Sequence, residues 1–358
     1  MKKFQIKEKT VEALFSTAIA LLVGFLLGAL LLRISGYDPV SVYKLMFDKI
    51  VADFGLVVGK ATPLIFTGLA MAIPYSIGMV NLGAEGQIAI GAFCAALIGA
   101  YIPLPSGVHV LLVLAGGALA GMLCSTLCGF LKLRFQASEV VTTVMLNSVI
   151  LYLMEYAVNG PLNGVPSQPQ TRPILETAYL PKFSIRAEWS TAIFIALAAA
   201  ILVWVFINKT VAGYEMRASG LNLRTSLYKG INVKASALLA MALGGLFAGL
   251  GGACEVMGLE HSYYHGFVTN YGYTGMAVAL IARNNPLAVI PAAIFLAMIR
   301  VGGVALDRMT DIPSHFIWVL QGTMIIALSV PHLLELLKRA KTAVQASFRK
   351  KTVCSEVN

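Results

Sequence analysis

The stretch VNLGAEGQI, residues 80–88, separates two apolar runs long enough to cross a lipid bilayer. An asparagine, a glutamate, a glutamine and two glycines sit where the hydrophobic pattern breaks. The surroundings decide how such a stretch is read. Of 358 residues, 58% are hydrophobic and 12% charged, where a soluble domain carries about 25% charged residues. A helix crossing the hydrocarbon core needs roughly 20 mostly apolar residues, and runs of that length recur along almost the whole chain. Composition and run length together specify an all-α integral membrane protein.

Apolar length, read with the Gly, Pro and charge interruptions, predicts about ten transmembrane helices near 11–32, 56–77, 88–102, 108–130, 140–158, 190–207, 235–257, 267–281, 287–304 and 316–336. The pieces shorter than about 17 residues are expected to be discontinuous or re-entrant. The first run follows Lys2, Lys3, Lys7 and Lys9 but exceeds a signal-peptide core and has no A-x-A cleavage site, so a retained span is expected. Ten crossings put both termini on one side. The N-terminal tail, residues 131–139, the loop 208–234, the turn at Arg283 and the C-terminal tail hold 18 of the 27 Lys and Arg, and the opposite loops hold seven. That bias makes both termini cytoplasmic, and the formal charge of +10 needs no nucleic-acid partner. The expected organisation is a cytoplasmic tail (1–10), a transmembrane domain (11–336) with an external loop at 159–189 and a cytoplasmic loop at 208–234, and a basic cytoplasmic tail (337–358).

Several chemistries lack their motifs. The chain has no G-x-x-x-x-G-K-[ST] phosphate loop, H-E-x-x-H, G-x-S-x-G or CxxC pair. Five cysteines are an odd number, four of them in apolar segments; Cys124 and Cys128 share a helical face but have no His or acidic co-ligands, so neither disulfides nor a metal site are expected. Movement of a solute across the bilayer is the default reading.

A glutamate at membrane depth costs a few kcal/mol, so Glu85, with Asn81 and Gln87, is expected to face a protein interior or a water-filled cavity. A tight cytoplasmic turn with solvated side chains is an equally open reading. A second polar break, HGFVTNYGYTGMAVALIARNNP (265–286), gathers Asn270, Tyr271 and Tyr273 beside Gly272 and Gly275. Two Gly-interrupted short segments, one per half, match transporters whose half-helix ends line a cavity, while an interfacial aromatic belt would also use the tyrosines. Asn147 and Arg300 look hardest to expose; Glu139, Glu155 and Glu255 lie near span ends. GGALAG (116–121) and GGLFAG (244–249) share a pattern on helices of opposite direction, which fits an inverted repeat or plain small-residue packing.

The segments MVNLGAEGQIAIGA (79–92), GYEMRASGLNLRTSLYKGINV (213–233), GGLFAGLGGACEVMG (244–258), GYTGMAVALIARNNPLAV (272–289) and VLQGTMIIA (319–327) resemble, in this order, permease subunits of bacterial ATP-binding cassette importers. The likeness is to the nucleoside and simple-sugar group, related to ribose and branched-chain amino acid permeases, over about residues 55–330. The resemblance implies a chain that binds no cofactor itself and borrows a cytoplasmic ATPase using ATP and Mg. It also implies a second permease subunit, identical or different, and an external binding lipoprotein that docks on 159–189 and 258–266, all in the bacterial inner membrane. Arg217, Ala218, Gly220, Asn222, Gly230 and Ile231 match the family's cytoplasmic coupling segment. Asn81, Glu85, Gln87, Asn147, Asn270, Tyr271 and Tyr273 would then line or brace the translocation path, with Tyr263 and Tyr264 as further stacking candidates. N-x-G-x-E-G-Q favours nucleosides over simple sugars. An ion-coupled secondary transporter with Glu85 as its titratable group, and a scaffold or receptor subunit, are the rival classes.

Overall fold

In the computed structural model, residues 22–166, 168–183, 189–267 and 270–309 are described, together with 319, 322, 323 and 326. Helices dominate them: α1 (Leu22–Ile34), α2 (Pro39–Ala52), α3 (Phe54–Tyr75), α4 (Ala84–Tyr101), α5 (Ser106–Phe135), α6 (Glu139–Asn159), α7 (Ala192–Lys209), α8 (Val211–Leu221), α9 (Leu223–Tyr228), α10 (Val233–Glu255), α11 (Tyr271–Ile281) and α12 (Pro286–Met309). Extended backbone among the described residues is limited to isolated bridges.

Seven of these helices are long and apolar enough to cross a membrane, α10 doing so with the π-helical turn Val256–Glu260 that continues it. Two more apolar helices, α1 and α11, are shorter. All but four residues of the expected span at 316–336, the start of the one at 11–32 and both tails lie outside the described residues, and the other nine expected spans have a helical counterpart here. The boundaries differ informatively. The third span begins at Ala84 rather than 88, because Glu85 and Gln87 are buried in its first turns. Residues 39–52, expected as a loop, form α2: Pro39 opens it, and the Asp38 carboxylate accepts the Ser41 N–H at 3.0 Å.

The chain divides into two compact units. In the first, residues 1–48 and 302–358, the described core is Leu32, Val42, Met46 and Leu306, and the Tyr43 hydroxyl donates to the Phe25 carbonyl at 2.9 Å. The second, residues 49–301, is organised around α10, which packs against α5, α4 and α3. Burial grades across this bundle: 83% of the α3 span is buried against 17% of the α6 span, so α3 is central and α6 presents most of its apolar surface outward. That outward face, with Met145, Tyr152 and Leu153 exposed, is what lipid would cover.

The α5–α10 contact explains the shared GG-x-x-AG pattern. A Cβ on Gly121 would collide with the Gly245 carbonyl, one on Gly245 with the Gly121 carbonyl, and one on Gly249 with the Gly117 carbonyl. The two copies are therefore the two faces of one backbone-to-backbone crossing, the use membrane helices make of small residues. At one end of the bundle, the described residues of 160–191 are irregular apart from one 3-10 turn, Glu176–Ala178, and are tied down by backbone bonds: the N–H groups of Thr171, Ile174, Leu175 and Leu180 donate to the carbonyls of Tyr263, His261, Gly99 and Met257, each at 2.8 or 2.9 Å. The opposite end of α7 carries α8 and α9.

Candidate functional site

The break at 80–88 is a built structure, not a solvated turn. α3 stops at Tyr75, Gly78 turns the chain at φ +81°, and α4 starts at Ala84. Asn81 and Gln87 form a reciprocal amide pair: Asn81 Nδ2 donates to Gln87 Oε1 at 3.0 Å, and Gln87 Nε2 to Asn81 Oδ1 at 2.9 Å. Asn81 Nδ2 also donates to the Ala70 carbonyl of α3 at 3.1 Å, and its Oδ1 accepts the Gly83 N–H at 3.0 Å. Asn147 serves the same segment from α6, accepting the Gly86 N–H at 2.9 Å and donating to the Leu82 carbonyl at 2.8 Å. A Cβ at Gly86 would lie 2.7 Å from Asn147 Oδ1, so glycine is what admits this amide. Backbone groups exposed by the helix break thus find side-chain partners, as burial demands.

Glu85 reaches further. Its Oε1 accepts the N–H of Asn270 at 2.7 Å and its Oε2 that of Gly272 at 2.6 Å. Those are free donors at the start of α11, so one carboxylate sits in the first turn of α4 and on the N-terminus of α11, where both helix dipoles favour negative charge. The approach is so close that a Cβ at Gly272 would collide with the Glu85 backbone nitrogen. Asn270 takes the left-handed conformation, φ 58°, that starts α11 abruptly. The start of a full-length span, α4, and the start of the short apolar helix α11 therefore meet over a buried carboxylate.

A second buried polar cluster adjoins. Lys60 of α3 pairs with Glu255 of α10 at 3.7 Å, the Tyr271 hydroxyl donates to Glu255 Oε1 at 3.4 Å, and the Arg300 guanidinium of α12 lies 4.4 Å over the Tyr271 ring. Arg300 acts electrostatically on both Glu85 and Glu255. Buried charge is expensive unless paired; here two cations and two carboxylates balance around one tyrosine. Lys60 was missed by sequence reading, being one charge within a 22-residue apolar helix. Its signal was the lysine left over once loop and tail charges are assigned.

The structure brings Asn81, Glu85, Gln87, Asn147 and Tyr271 together, all buried. Tyr273 and the Asn270 residue lie at the surface of this chain, the former 41% exposed. Tyr263 is buried, its ring stacked on Phe267 and edge-on to Phe93 of α4. No cluster of three or more metal-ligating side chains occurs among the described residues.

The expected coupling residues occupy two short helices. Thr210, Asn222 and Asn232 cap α8, α9 and α10, their side-chain oxygens accepting the N–H groups of Gly213, Thr225 and Ala235 at 3.1 Å. α8 buries Gly213, Met216 and Ser219 and leaves Arg217 outward. Gly220 lies against the Ser76 carbonyl at the end of α3, which a Cβ there would strike. Gly230 turns the chain at φ +77° before Ile231 and the α10 cap. Leu221 and Tyr228 are 89% and 93% exposed, an apolar surface with nothing over it among the described residues.

Residues 54–329 match the model of the permease component of branched-chain amino acid transport systems. The chain belongs to this permease family. The permease is 33% identical over 318 residues to the guanosine ABC transporter permease protein NupP of Bacillus subtilis, a match covering 86% of this chain and 91% of the relative. It is 28% identical to the nucleoside ABC transporter permease protein NupB of Lactococcus lactis, over 92% of this chain and 94% of that one. A glucose ABC transporter permease protein of Haloferax volcanii is also 28% identical, over 87% and 85% of the two chains. The matched region takes in the α4–α11 junction, the Lys60 cluster and the α8–α9 segment of the permease.

Proposed function

We propose that this permease is the membrane subunit of an ATP-driven importer of nucleosides. The observation that carries the reading is the junction of α4 and α11, where Glu85 fixes the start of a short, discontinuous apolar helix to the start of a full span, the kind of broken helix that lines alternating-access paths. The two helices come from opposite halves of the chain and are joined at their N-termini, which also supports a division into inverted halves. Asn81, Gln87 and Asn147 brace the junction, and Tyr271, with Tyr273 and Asn270 at the surface, borders the path. Nucleosides are preferred because two relatives carry guanosine or nucleoside in their names.

In this reading the chain binds no cofactor. A cytoplasmic ATPase hydrolyses Mg-ATP and grips the α8–α9 segment through Arg217, Ala218, Gly220, Asn222, Gly230, Ile231 and the exposed Leu221 and Tyr228. A second permease subunit completes the path, and a binding lipoprotein delivers substrate at the end carrying 160–191. Both termini are cytoplasmic in the bacterial inner membrane. Simple sugars form a second reading, favoured by the glucose-transporter relative.

The test is reconstitution of this chain with its ATPase, permease partner and binding protein in proteoliposomes. Nucleoside accumulation that requires ATP is the expected result. Accumulation of glucose or ribose instead would select the sugar reading, and uphill transport on a proton or sodium gradient without the ATPase would overturn the importer.

A further inference from the structure

At the end of the bundle carrying 160–191, two stretches of chain lie side by side. Gln170 and Tyr264 form an antiparallel bridge, the Thr171 N–H donates to the Tyr263 carbonyl at 2.8 Å, and the His265 N–H to the Pro169 carbonyl at 3.0 Å. Between them and the π-helical turn opens a cavity of about 370 Å³, within the size range of small-ligand pockets. Its walls carry Gln168, Gln170, Glu260, Ser262, Tyr264 and His265.

The chemistry of this wall is selective. Two amides and a serine hydroxyl both donate and accept, and Glu260 only accepts. Burial, then the nearby Glu260 carboxylate, push the Tyr264 phenol up to about 12, so it stays a donor. Glu260 and Tyr264 therefore offer an acceptor and a donor on the same wall. Among the described residues no lysine or arginine lines the cavity, and the ionisable nitrogen base of its wall, His265, pairs with Glu155 at 3.4 Å. An anion would meet the Glu260 carboxylate, while the nearby Lys60, outside the described wall, is already paired with Glu255. The aromatic side is firm: Tyr264 packs edge-on to Phe267, Phe267 stacks on Tyr263, and Tyr263 abuts Phe93 of α4. Such a wall suits a flat, uncharged ring with adjacent N–H donors and attached hydroxyls. Glu260 also acts electrostatically on Lys60, so the cavity adjoins the buried cluster that leads to Tyr271 and Glu85.

We propose that this cavity is a nucleoside-binding site of the permease itself, in which Glu260 accepts the paired N–H donors of a guanine-type base, Tyr264 offers its ring to the base, and phosphorylated nucleotides are rejected. The proposal rests on the nucleoside reading above and adds that the membrane subunit, not only the delivering protein, recognises the base.

The assembled importer in nanodiscs, without binding protein, is titrated with radiolabelled guanosine and with GMP. Saturable guanosine binding is expected, with GMP at least about tenfold weaker. Glu260→Gln, which swaps an acceptor for a donor, weakens guanosine roughly tenfold, and Tyr264→Ala does so by several fold. Wild-type elution and thermal midpoint verify each variant's fold, and either variant suffices where the other fails to fold. Binding insensitive to the folded variant, or GMP binding as tightly as guanosine, overturns the site. Absence of guanosine binding alongside intact ATP-driven nucleoside uptake overturns the site and leaves the importer reading standing. Loss of binding-protein docking in Glu260→Gln, with no guanosine binding in the parent, also overturns it and assigns the cavity to a basic side chain of that protein. Failure of both uptake and binding sinks both readings.

Discussion

Glu85 and Gly272, 187 positions apart, are joined by a hydrogen bond of 2.6 Å that fastens the first turn of α4 to the first turn of α11. Both hydrogen bonds this carboxylate accepts come from backbone N–H groups, of Asn270 and Gly272. Glu85→Gln would keep one acceptor and turn an NH2 group toward the other donor. Hydrogen bonds to a charged group contribute about 1.5–3 kcal/mol each. The expected outcome is a lower thermal midpoint of the purified permease and at least about tenfold slower nucleoside uptake by the assembled importer. Uptake equal to the parent would show that a neutral amide suffices.

The Asn81–Gln87 amide pair is a closed unit, so its two members should not contribute independently. Asn81→Ala strands the Gln87 amide and is expected to cost about 2 kcal/mol or more. Adding Gln87→Ala should cost less than the sum of the single changes, with a coupling of about 1 kcal/mol or more in a double-mutant cycle of unfolding free energies. Additive effects would contradict a shared network.

Lys60→Met leaves Glu255 buried with only the Tyr271 hydroxyl and the nearby Arg300 to offset its charge. Breaking a buried pair costs about 3–5 kcal/mol, and the remaining groups should bring the loss to the lower end. Lys60→Met combined with Glu255→Gln removes both charges and should recover most of the stability in thermal melts of detergent-purified protein. No recovery would mean that Lys60 stabilises through something other than Glu255.

Gly220→Leu forces a side chain between α8 and the Ser76 carbonyl. Arg217→Glu reverses an exposed charge on the same helix without touching the bundle. Both should leave membrane insertion intact, while uptake per ATP hydrolysed by the reconstituted importer falls several fold. Unaltered coupling in both variants would remove the assignment of this segment.

Much of the fold was legible because bilayer thickness acts on local sequence: a run such as 192–209 announces itself without knowledge of its neighbours. The break at 80–88 was legible as an interruption, but its boundary was not. Glu85 and Gln87 were read as a junction because each is polar, whereas N–H donors at the start of α11 for Glu85, and Asn81 for Gln87, let them enter a buried helix. No local pattern reveals that Asn147 serves Gly86 or that Glu85 serves Gly272, since those pairings exist only once helices far apart in the chain are packed. Lys60 was hidden by its surroundings, as hydropathy averaged over a long apolar run absorbs a single charge. α2 was a different omission: Asp38, Pro39 and Ser41 spell a helix start, which the two lysines of 39–52 obscured.

The bare contact between Gly220 and the last turn beyond α3 bears on how force travels. Side chains cushion most helix contacts, because they shift rotamer before the main chain moves. Where α8 meets Ser76 there is no such cushion, and five residues further on Asn81 begins the lattice of amides that braces the start of α4. In the importer proposed above, a shove delivered to α8 would be taken up by peptide planes instead of being dissipated, so this short strut would act as a pushrod seated directly on the chain that leads to Asn81.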